Sequence, residues 1–340
     1  MKKPDTTLID QEWPADELEE VHNCPYCGST ERTIAYENVQ DWSFYCAPGK
    51  WTYWDCAQCE ALYLNPRPTE ASIGKAYASY YTHSNNASSI VQQLKTRLKN
   101  ELFYHSINAK LSPRLHIPKW LGFAIKPLKK LIHIPFELEP LVNLPKGKLL
   151  DVGCGSGNTL KIAKQLGWDV MGLEIDPNAV KAAQALGLNV VQGDYRKLNE
   201  FAQTFDCIIC SHVLEHVHNP MELLSLLQKA LKHGGILLLS LPNAKSLVRE
   251  QFGASWRGIE APRHLAIPSA NYCKKIMQNN YEWLAQKYIY DRTHKASSQI
   301  KGVNAASIKI TFFKKNVDEE YNNSNESQSY DFIQLVCKHN

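Results

Sequence analysis

Seven residues constrain this chain more than any others: Asp151-Val152-Gly153-Cys154-Gly155-Ser156-Gly157. They follow a short apolar run and precede a segment whose apolar residues recur at helical spacing, so they read as the turn between a strand and a helix. Three glycines so close together let a backbone approach a ligand, because a Cβ would collide with it or forbid the needed dihedrals. A strand-to-helix turn of this kind belongs to α/β architecture, in which helices cover both faces of a largely parallel sheet.

The rest of the second half agrees. From Lys146 onward apolar runs alternate with helical patterns. Strands are expected over Lys148–Gly153, Asp169–Ile175, Asn189–Gly193, Phe205–Ser211 and Gly235–Leu241. Helical patterns fall at Asn158–Leu166, Asn178–Leu186 and Met221–Leu231. Tyr281–Tyr290 and Asp331–Cys337 supply two final strands, and the polar tract at about 318–330 reads as an exposed loop. With 340 residues the chain is long enough for this domain, 146–340, and smaller units before it. Those are a polar leader at 1–20, a cysteine-bearing module at 21–70, and a linker or lid at 71–145 that begins helical and turns basic and proline-punctuated.

Acidic residues stand where successive strands end. Glu174 closes the second strand, where a carboxylate can accept hydrogen bonds from ribose hydroxyls. Asp194 closes the third. The run D-V-G-C-G-S-G departs from the dinucleotide fingerprint G-x-G-x-x-G, since its third glycine comes early. Asp151 would repel a pyrophosphate and suits a cationic ligand with an amino group.

Together, Asp151–Gly157, Gly172-Leu173-Glu174-Ile175-Asp176, Gly193-Asp194, Phe205-Asp206-Cys207-Ile208-Ile209 and Leu231-Lys232-His233-Gly234-Gly235-Ile236-Leu237 resemble class I S-adenosylmethionine-dependent methyltransferases. The resemblance covers about half the chain. It implies a Rossmann-like seven-stranded sheet whose last strand is antiparallel, with the cofactor across the strand C-termini. It further implies Gly153, Gly155 and Gly157 around the methionine moiety, Glu174 on ribose and Asp194 on adenine. Asp151 and Ser211, at the ends of the first and fourth strands, complete the expected cofactor set.

Cys24-Pro25-Tyr26-Cys27 and Cys56-Ala57-Gln58-Cys59 form two C-x-x-C units. Four thiolates so arranged can hold Zn²⁺ tetrahedrally and leave no open position, so the expected metal is structural. Cys46 between the pairs is a spare ligand. Cys207 and Cys210 share the spacing but sit in a strand, where residues three apart face opposite sides. The four-Cys module, followed by Leu62–Pro68 and Tyr80-Tyr81, resembles a methyltransferase subgroup of sugar and surface-polysaccharide pathways.

His212-Val213-Leu214-Glu215-His216 follows the fourth strand. Three readings stand open. The string satisfies H-x-x-E-H, a zinc-peptidase pattern. His212, Glu215 and His216, at helical spacing, can form a divalent-metal site, as ubiquinone-pathway O-methyltransferases resemble this segment with a carboxylate in place of His212. Or Glu215 and His216 only brace the crevice. Downstream, Trp256–Leu265 lies on a loop after the fifth strand. There Trp256 offers an apolar wall, Arg257 and Arg263 can bind an anion, and His264 can take a proton from a hydroxyl. The catalytic candidates are therefore His264, His216 and Glu215.

A net charge of +4 is too small to imply nucleic-acid binding. From Leu102 to Phe136, however, there is no acidic residue, while Lys110, Arg114, Lys119, Lys126, Lys129 and Lys130 fall there. The basic, apolar stretch at about 110–134 can lie on an anionic membrane or serve as a lid. No secretory signal or membrane span is visible, so the expected place is the cytoplasm or the inner membrane face. The expected acceptor is a small hydroxyl compound or lipid-linked glycan. A cofactor-binding scaffold that no longer catalyses is the rival reading.

Overall fold

The computed structural model describes residues 7–77, 90–122, 135, 137–289, 297 and 332–340. The first half carries five short strands: β1 (Leu18–Glu19), β2 (Arg32–Val39), β3 (Trp51–Cys56), β4 (Leu62–Leu64) and β5 (Arg67–Pro68). Helices α1 (Ile90–Ile107) and α2 (Leu138–Asn143) lead to the glycine turn. The second half then runs β6 (Lys148–Val152), α3 (Asn158–Gln165), β7 (Asp169–Glu174), α4 (Pro177–Ala185), β8 (Val190–Gln192), β9 (Phe205–Ser211), α5 (Pro220–Ala230) and β10 (Leu231–Pro242). It closes with α6 (Leu247–Phe252), β11 (Ala266–Ile267), α7 (Ala270–Met277), β12 (Tyr281–Ile289) and β13 (Phe332–His339).

Seven strands form one sheet in the order β8-β7-β6-β9-β10-β13-β12. Pairings from β8 to β10 are parallel, and β13 runs antiparallel between β10 and β12. The reason is visible in the residues. Leu149, Cys207, Ile209 and Leu238 join one buried cluster with Leu160 and Ala163 of α3 and Val180 and Ala183 of α4. Their chain neighbours Leu150, Ile208, Cys210, Leu237 and Leu239 join the other, with Leu223, Leu227 and Ala230 of α5 and Cys273 and Met277 of α7. Strand alternation thus feeds two cores at once, which is why these strands are apolar throughout. Cys207 and Cys210 fall on opposite faces, as their spacing requires.

The strand order reverses direction at β6, whose neighbours are β7 on one side and β9 on the other. Ligands of open α/β sheets bind at such a point, outside the strand C-termini. The glycine turn, Ser211 and His212 all lie there.

The first half is not a separate body. Its four-stranded sheet has the order β11-β4-β3-β2, so Ala266–Ile267 from the second half completes it. Cys24, Tyr26, Cys56, Cys59 and Tyr63 share a buried cluster with α5 and α7. A third core joins Trp13, Trp51, Tyr53, Leu62 and Leu64 to Val248, Phe252, Trp256 and Leu265. The leader contributes through Trp13 and through β1, which pairs with β5.

Arg263 is the polar centre of this junction. Its guanidinium meets both carboxylate oxygens of Asp41 at 2.5 and 3.1 Å, and neither side chain has any solvent exposure. Asp41 also accepts the amides of Phe44, Cys46 and Ala47. Sequence reasoning offered Arg263 as an anion-binding group; its charge is instead spent on Asp41 inside the fold. Trp256, expected as an exposed wall, is buried in the third core. Within the basic arm, residues 123–134 lie outside the described residues, as does the polar tract at 318–330. No described helix is long and apolar enough to cross a membrane.

Removing one partner of a buried ion pair strands the other charge, at a cost of about 3–5 kcal/mol. Arg263→Met should lower unfolding free energy by that much in urea denaturation. A change below about 1 kcal/mol would mean that Asp41 finds water or another cation.

Candidate functional site

The turn after β6 is built so that only glycine fits. Gly153 and Gly157 have φ of +71° and +80°. A Cβ on Gly153 would lie 2.5 Å from Val213 Cγ2, and one on Gly157 would lie 2.4 Å from Leu188 Cδ1. Glu174, at the end of β7, ties the turn down: Oε2 accepts the Gly155 amide at 2.7 Å, and Oε1 accepts the amides of Ile175 and Asp176 at 2.8 and 3.0 Å.

Beside it the sheet edge is acidic. Asp151 is 5% exposed. Burial, followed by the charges of Glu137 and Glu174, pushes its carboxyl well above the usual carboxylate range. Ser211 donates to Glu137 Oε1 at 3.1 Å. Among the described residues no lysine or arginine pairs with Asp151, Glu137 or Glu174. Three carboxylates without a cation, set against a glycine turn, suit a positively charged ligand and oppose a pyrophosphate. The residues therefore fit S-adenosylmethionine, whose sulfonium and ammonium are cationic and whose ribose offers hydroxyls to Glu174.

Asp194 is placed differently. It caps the turn Tyr195–Glu200 by accepting the Arg196 amide at 2.8 Å, and it pairs with the Arg196 guanidinium at 3.1 Å. Arg196 is held in turn by Glu70 at 2.6 Å. Its backbone remains beside Glu174, whose carbonyl accepts the Gly193 amide.

The second set converges from two distant segments. Leu214–His216 forms a single 3-10 turn after β9, and residues 257–264 fold back over it. One ligand atom each from Glu215, His216 and His264 lies within 4.8 Å of the other two. The His216 and His264 rings stand edge to face, their centroids 4.5 Å apart. His264 Nδ1 lies 2.6 Å from the Gly258 carbonyl, and His216 Nδ1 lies 3.0 Å from the Arg263 carbonyl and from Tyr77 Oη. A carbonyl can only accept, so both Nδ1 atoms carry protons. Burial, then the neighbouring His216, drives His264 well below the ordinary histidine range. It is neutral at physiological pH.

Glu215 is fully buried. Its Oε1 lies 3.2 Å from His212 Nδ1, while Oε2 has no hydrogen-bond partner among the described residues. His212 is not part of the converging set. Its φ of +56° breaks the helical spacing that would have aligned it with His216, and its ring packs edge-on against Phe332. The expected trio of His212, Glu215 and His216 is thus replaced by Glu215, His216 and His264, and the peptidase pattern, which needs both of its histidines, loses its geometry.

The two C-x-x-C units meet. Cys24 Sγ lies 3.5 Å from Cys59 Sγ, Cys27 Sγ lies 3.4 Å from Cys56 Sγ, and all four sulfurs lie within 4.8 Å of one another. The hydrogen bond from Cys59 draws Cys24 down to about 5, while burial pushes Cys27 up to about 11. Four soft donors this close together can hold a metal ion of the kind thiolates bind. Cys46 lies outside it, near Arg263 and the Ala76 carbonyl.

Sequence reasoning missed Glu137 and Tyr77. Glu137 opens the helix that leads into β6, and an acidic residue just before an apolar helix was the available signal. Tyr77 reaches His216 from 139 positions away, and nothing local marks it.

Residues 125–282 match the family model described as a methyltransferase domain. Curated relatives include ubiquinone biosynthesis O-methyltransferases of Xanthomonas campestris pv. campestris (strain B100), 35% identical over 126 residues, and Xanthomonas axonopodis pv. citri, 36% identical over 126. Each alignment covers 35% of this chain and 53% of the relative, so the chain spans about half the length of the curated relatives it matches. Similar solved structures include an S-adenosylmethionine-dependent methyltransferase from Archaeoglobus fulgidus, with 18% identity, 57% of this chain and 86% of that one covered, and a TM-score of 0.42. Another, from Mesorhizobium loti, has 16% identity, 59% and 96% covered, and a TM-score of 0.39.

The buried neutral His264 carries a pH signature. The unfolded chain takes up a proton below about pH 6.5 that the folded state refuses. Its contribution to stability is therefore complete above that value and lost as pH falls, at up to about 1.4 kcal/mol per unit. His264→Gln should reduce the loss of stability between pH 7 and 5. Identical slopes for variant and parent would show that folded His264 protonates normally.

Proposed function

We propose that this protein transfers a methyl group from S-adenosylmethionine to a hydroxyl oxygen of a small acceptor, a sugar or a lipid-linked glycan unit. One observation carries the reading: an acidic, cation-seeking glycine turn and the imidazoles of His216 and His264 occupy the same sheet edge. The printed names of the curated relatives support oxygen as the acceptor atom. The sugar class rests on the four-Cys module, which resembles that of sugar-modifying methyltransferases.

When bound, the cofactor supplies a sulfonium methyl whose S–C bond breaks as the O–C bond forms. The chain's own residues do the rest. Glu174 and the glycine turn orient the adenosyl ligand, and Asp151 offers charge to its cationic end. His264, held by the Gly258 carbonyl with its Nε2 lone pair available, accepts the hydroxyl proton. Tyr77 and the Arg263 carbonyl hold His216 beside it, and Glu215 stabilises positive charge that arrives on either ring.

His264→Ala should lower turnover by about 10²–10⁴-fold with cofactor affinity unchanged. The assay follows labelled methyl from S-adenosylmethionine into a panel of nucleotide-sugar and lipid-linked acceptors by mass spectrometry. Wild-type turnover in the variant would remove His264 as the base. Cofactor binding with no product from any acceptor would favour the scaffold reading.

The four cysteines are proposed to hold a structural Zn²⁺ that fixes the first half of the chain against α5 and α7. A second reading of the Glu215–His216–His264 set is a divalent-metal site, favoured by the partnerless Glu215 Oε2 and by the two Nδ1–carbonyl hydrogen bonds, the usual outer-shell support of ligating histidines. Elemental analysis should find one zinc per chain, lost together with thermal stability in Cys56→Ser. A second equivalent that survives Cys56→Ser and disappears in Glu215→Gln would establish the metal reading; its absence would leave the imidazoles as proton acceptors.

A further inference from the structure

Charge is segregated along this chain. Between Glu70 and Glu137 the sequence holds ten lysines and arginines but one acidic residue, Glu101, against 38 and 34 in the whole chain. The fold hides even that one acid. Glu101 has no solvent exposure and accepts the amides of His116 and Ile117 at 2.6 and 3.1 Å. His105 and Arg114 stand 3.2 and 3.6 Å from its oxygens. The charge this stretch shows to solvent is therefore positive. Lys95, Arg97, Lys99, Lys110 and Lys119 are all exposed, and none forms an ion pair among the described residues.

Helix α1 changes character in the same stretch. From Asn100 to Phe103 every residue is buried, so the helix enters the body of the protein there. From Ile90 to Arg97 every residue is exposed. A helix end in solvent on all sides gains nothing from aliphatic residues, yet Ile90, Val91 and Leu94 are 78%, 60% and 54% exposed. Ile90, Leu94 and Leu98 recur every fourth residue with Val91 beside them, which makes one apolar stripe bordered by Lys95 and Arg97. Seven and eleven residues beyond Leu94, the same side of the helix carries Glu101 and His105, which hold residues 116–117. Trp120, 73% exposed, follows next to Lys119, whose ammonium lies over the Tyr104 ring. The segment bearing Trp120 is thus fastened to the side of α1 that carries Ile90 and Leu94.

The chemistry of the surface selects its occupant. A second copy of the chain would bring like cations together, which opposes a symmetric contact. A nucleic acid would match the cations but has no apolar layer for three aliphatic side chains. An anionic bilayer answers both, because its headgroups attract lysine and arginine while the acyl boundary takes up aliphatic and indole groups. We propose that the N-terminal half of α1 and Trp120 seat this protein on an anionic lipid surface, with Lys95, Arg97, Lys99 and Lys119 facing the headgroups. The contact is independent of the reaction at the sheet edge.

The test is sedimentation of the full chain with vesicles, without cofactor or turnover. The vesicles are phosphatidylcholine alone, or equal parts phosphatidylcholine and phosphatidylglycerol. The chain should sediment with the mixed vesicles only, and salt at about 1 M, which screens charges within about 3 Å, should release it. Each cation near such a surface strengthens binding about five-fold, so Lys95→Gln, Arg97→Gln and Lys99→Gln together should weaken it by about 100-fold. Leu94→Ser with Trp120→Ser should weaken it by about 10-fold or more. All five side chains are exposed, so thermal unfolding of both variants should match the parent. No sedimentation with the mixed vesicles would overturn the proposal, as would equal binding to phosphatidylcholine alone or undiminished binding in both variants. It would also fall if light scattering showed a dimer that Leu94→Ser dissolves while vesicle binding persists, which would give the stripe to a second copy.

Discussion

The buried ion pair between Arg263 and Asp41 decides where His264 can be. Arg263 is locked to a carboxylate that comes from the loop between β2 and β3, and the next residue in the chain is the imidazole that faces Glu215 and His216. The neighbouring bonds pull the same way. Tyr53 Oη donates to the His264 carbonyl, the Leu265 amide donates to the Glu215 carbonyl, and the Leu64 amide donates to the Leu265 carbonyl. Strand β11 then continues the sheet of the first half. The loop after β10 would otherwise be long and loose, and fixing it costs conformational entropy that the third core and these bonds offset. The four-Cys module therefore acts on the site mechanically. Whatever stiffens β3 and β4 stiffens the backbone from which His264 projects.

The electrostatics of the sheet edge divide into two zones. Around the glycine turn the excess is negative, held by Asp151, Glu137 and Glu174. Across the mouth of β9 the groups are the imidazoles of His216 and His264 beside the buried carboxylate of Glu215. His212 marks the border. Burial lowers its pKa and Glu215 raises it more, so it lies above the ordinary histidine value. The proposed methyl transfer would use this division, because displacement at a sulfonium moves positive charge from sulfur to the base.

Much of this was readable from residues alone, and the limits have physical causes. The seven strands of the large sheet were found because strands covered on both faces are apolar throughout and glycine punctuates their ends. The bounds of β6, β7 and β9 differ from expectation by a residue or so. The convergence of the four cysteines was readable from spacing. What escaped were pairings between distant segments: Asp41 with Arg263, Tyr77 with His216, and β4 with β11, which join residues roughly 140 to 220 positions apart. No local pattern encodes such partners. The trio around Glu215 failed for a different reason. Helical spacing was extended back to His212, but a residue with φ of +56° cannot belong to the helix that spacing assumes. The place of His212 is taken by a histidine from another loop.

The geometry also bears on the choice between catalysis and mere binding. A scaffold that only holds a cofactor has no need of a carboxylate with one oxygen unsatisfied beside two imidazoles. An unpaired buried polar atom costs about 1–3 kcal/mol, and replacing such a set by apolar side chains of similar volume is often stabilising. Arg263, one residue away, shows that this same junction satisfies a buried charge where the fold alone is at stake. The charge of Arg263 is answered by Asp41, whereas Glu215 Oε2 has no hydrogen-bond partner among the described residues. The first is explained by stability, and the open oxygen of the second is what the proposed proton transfer or metal site would use.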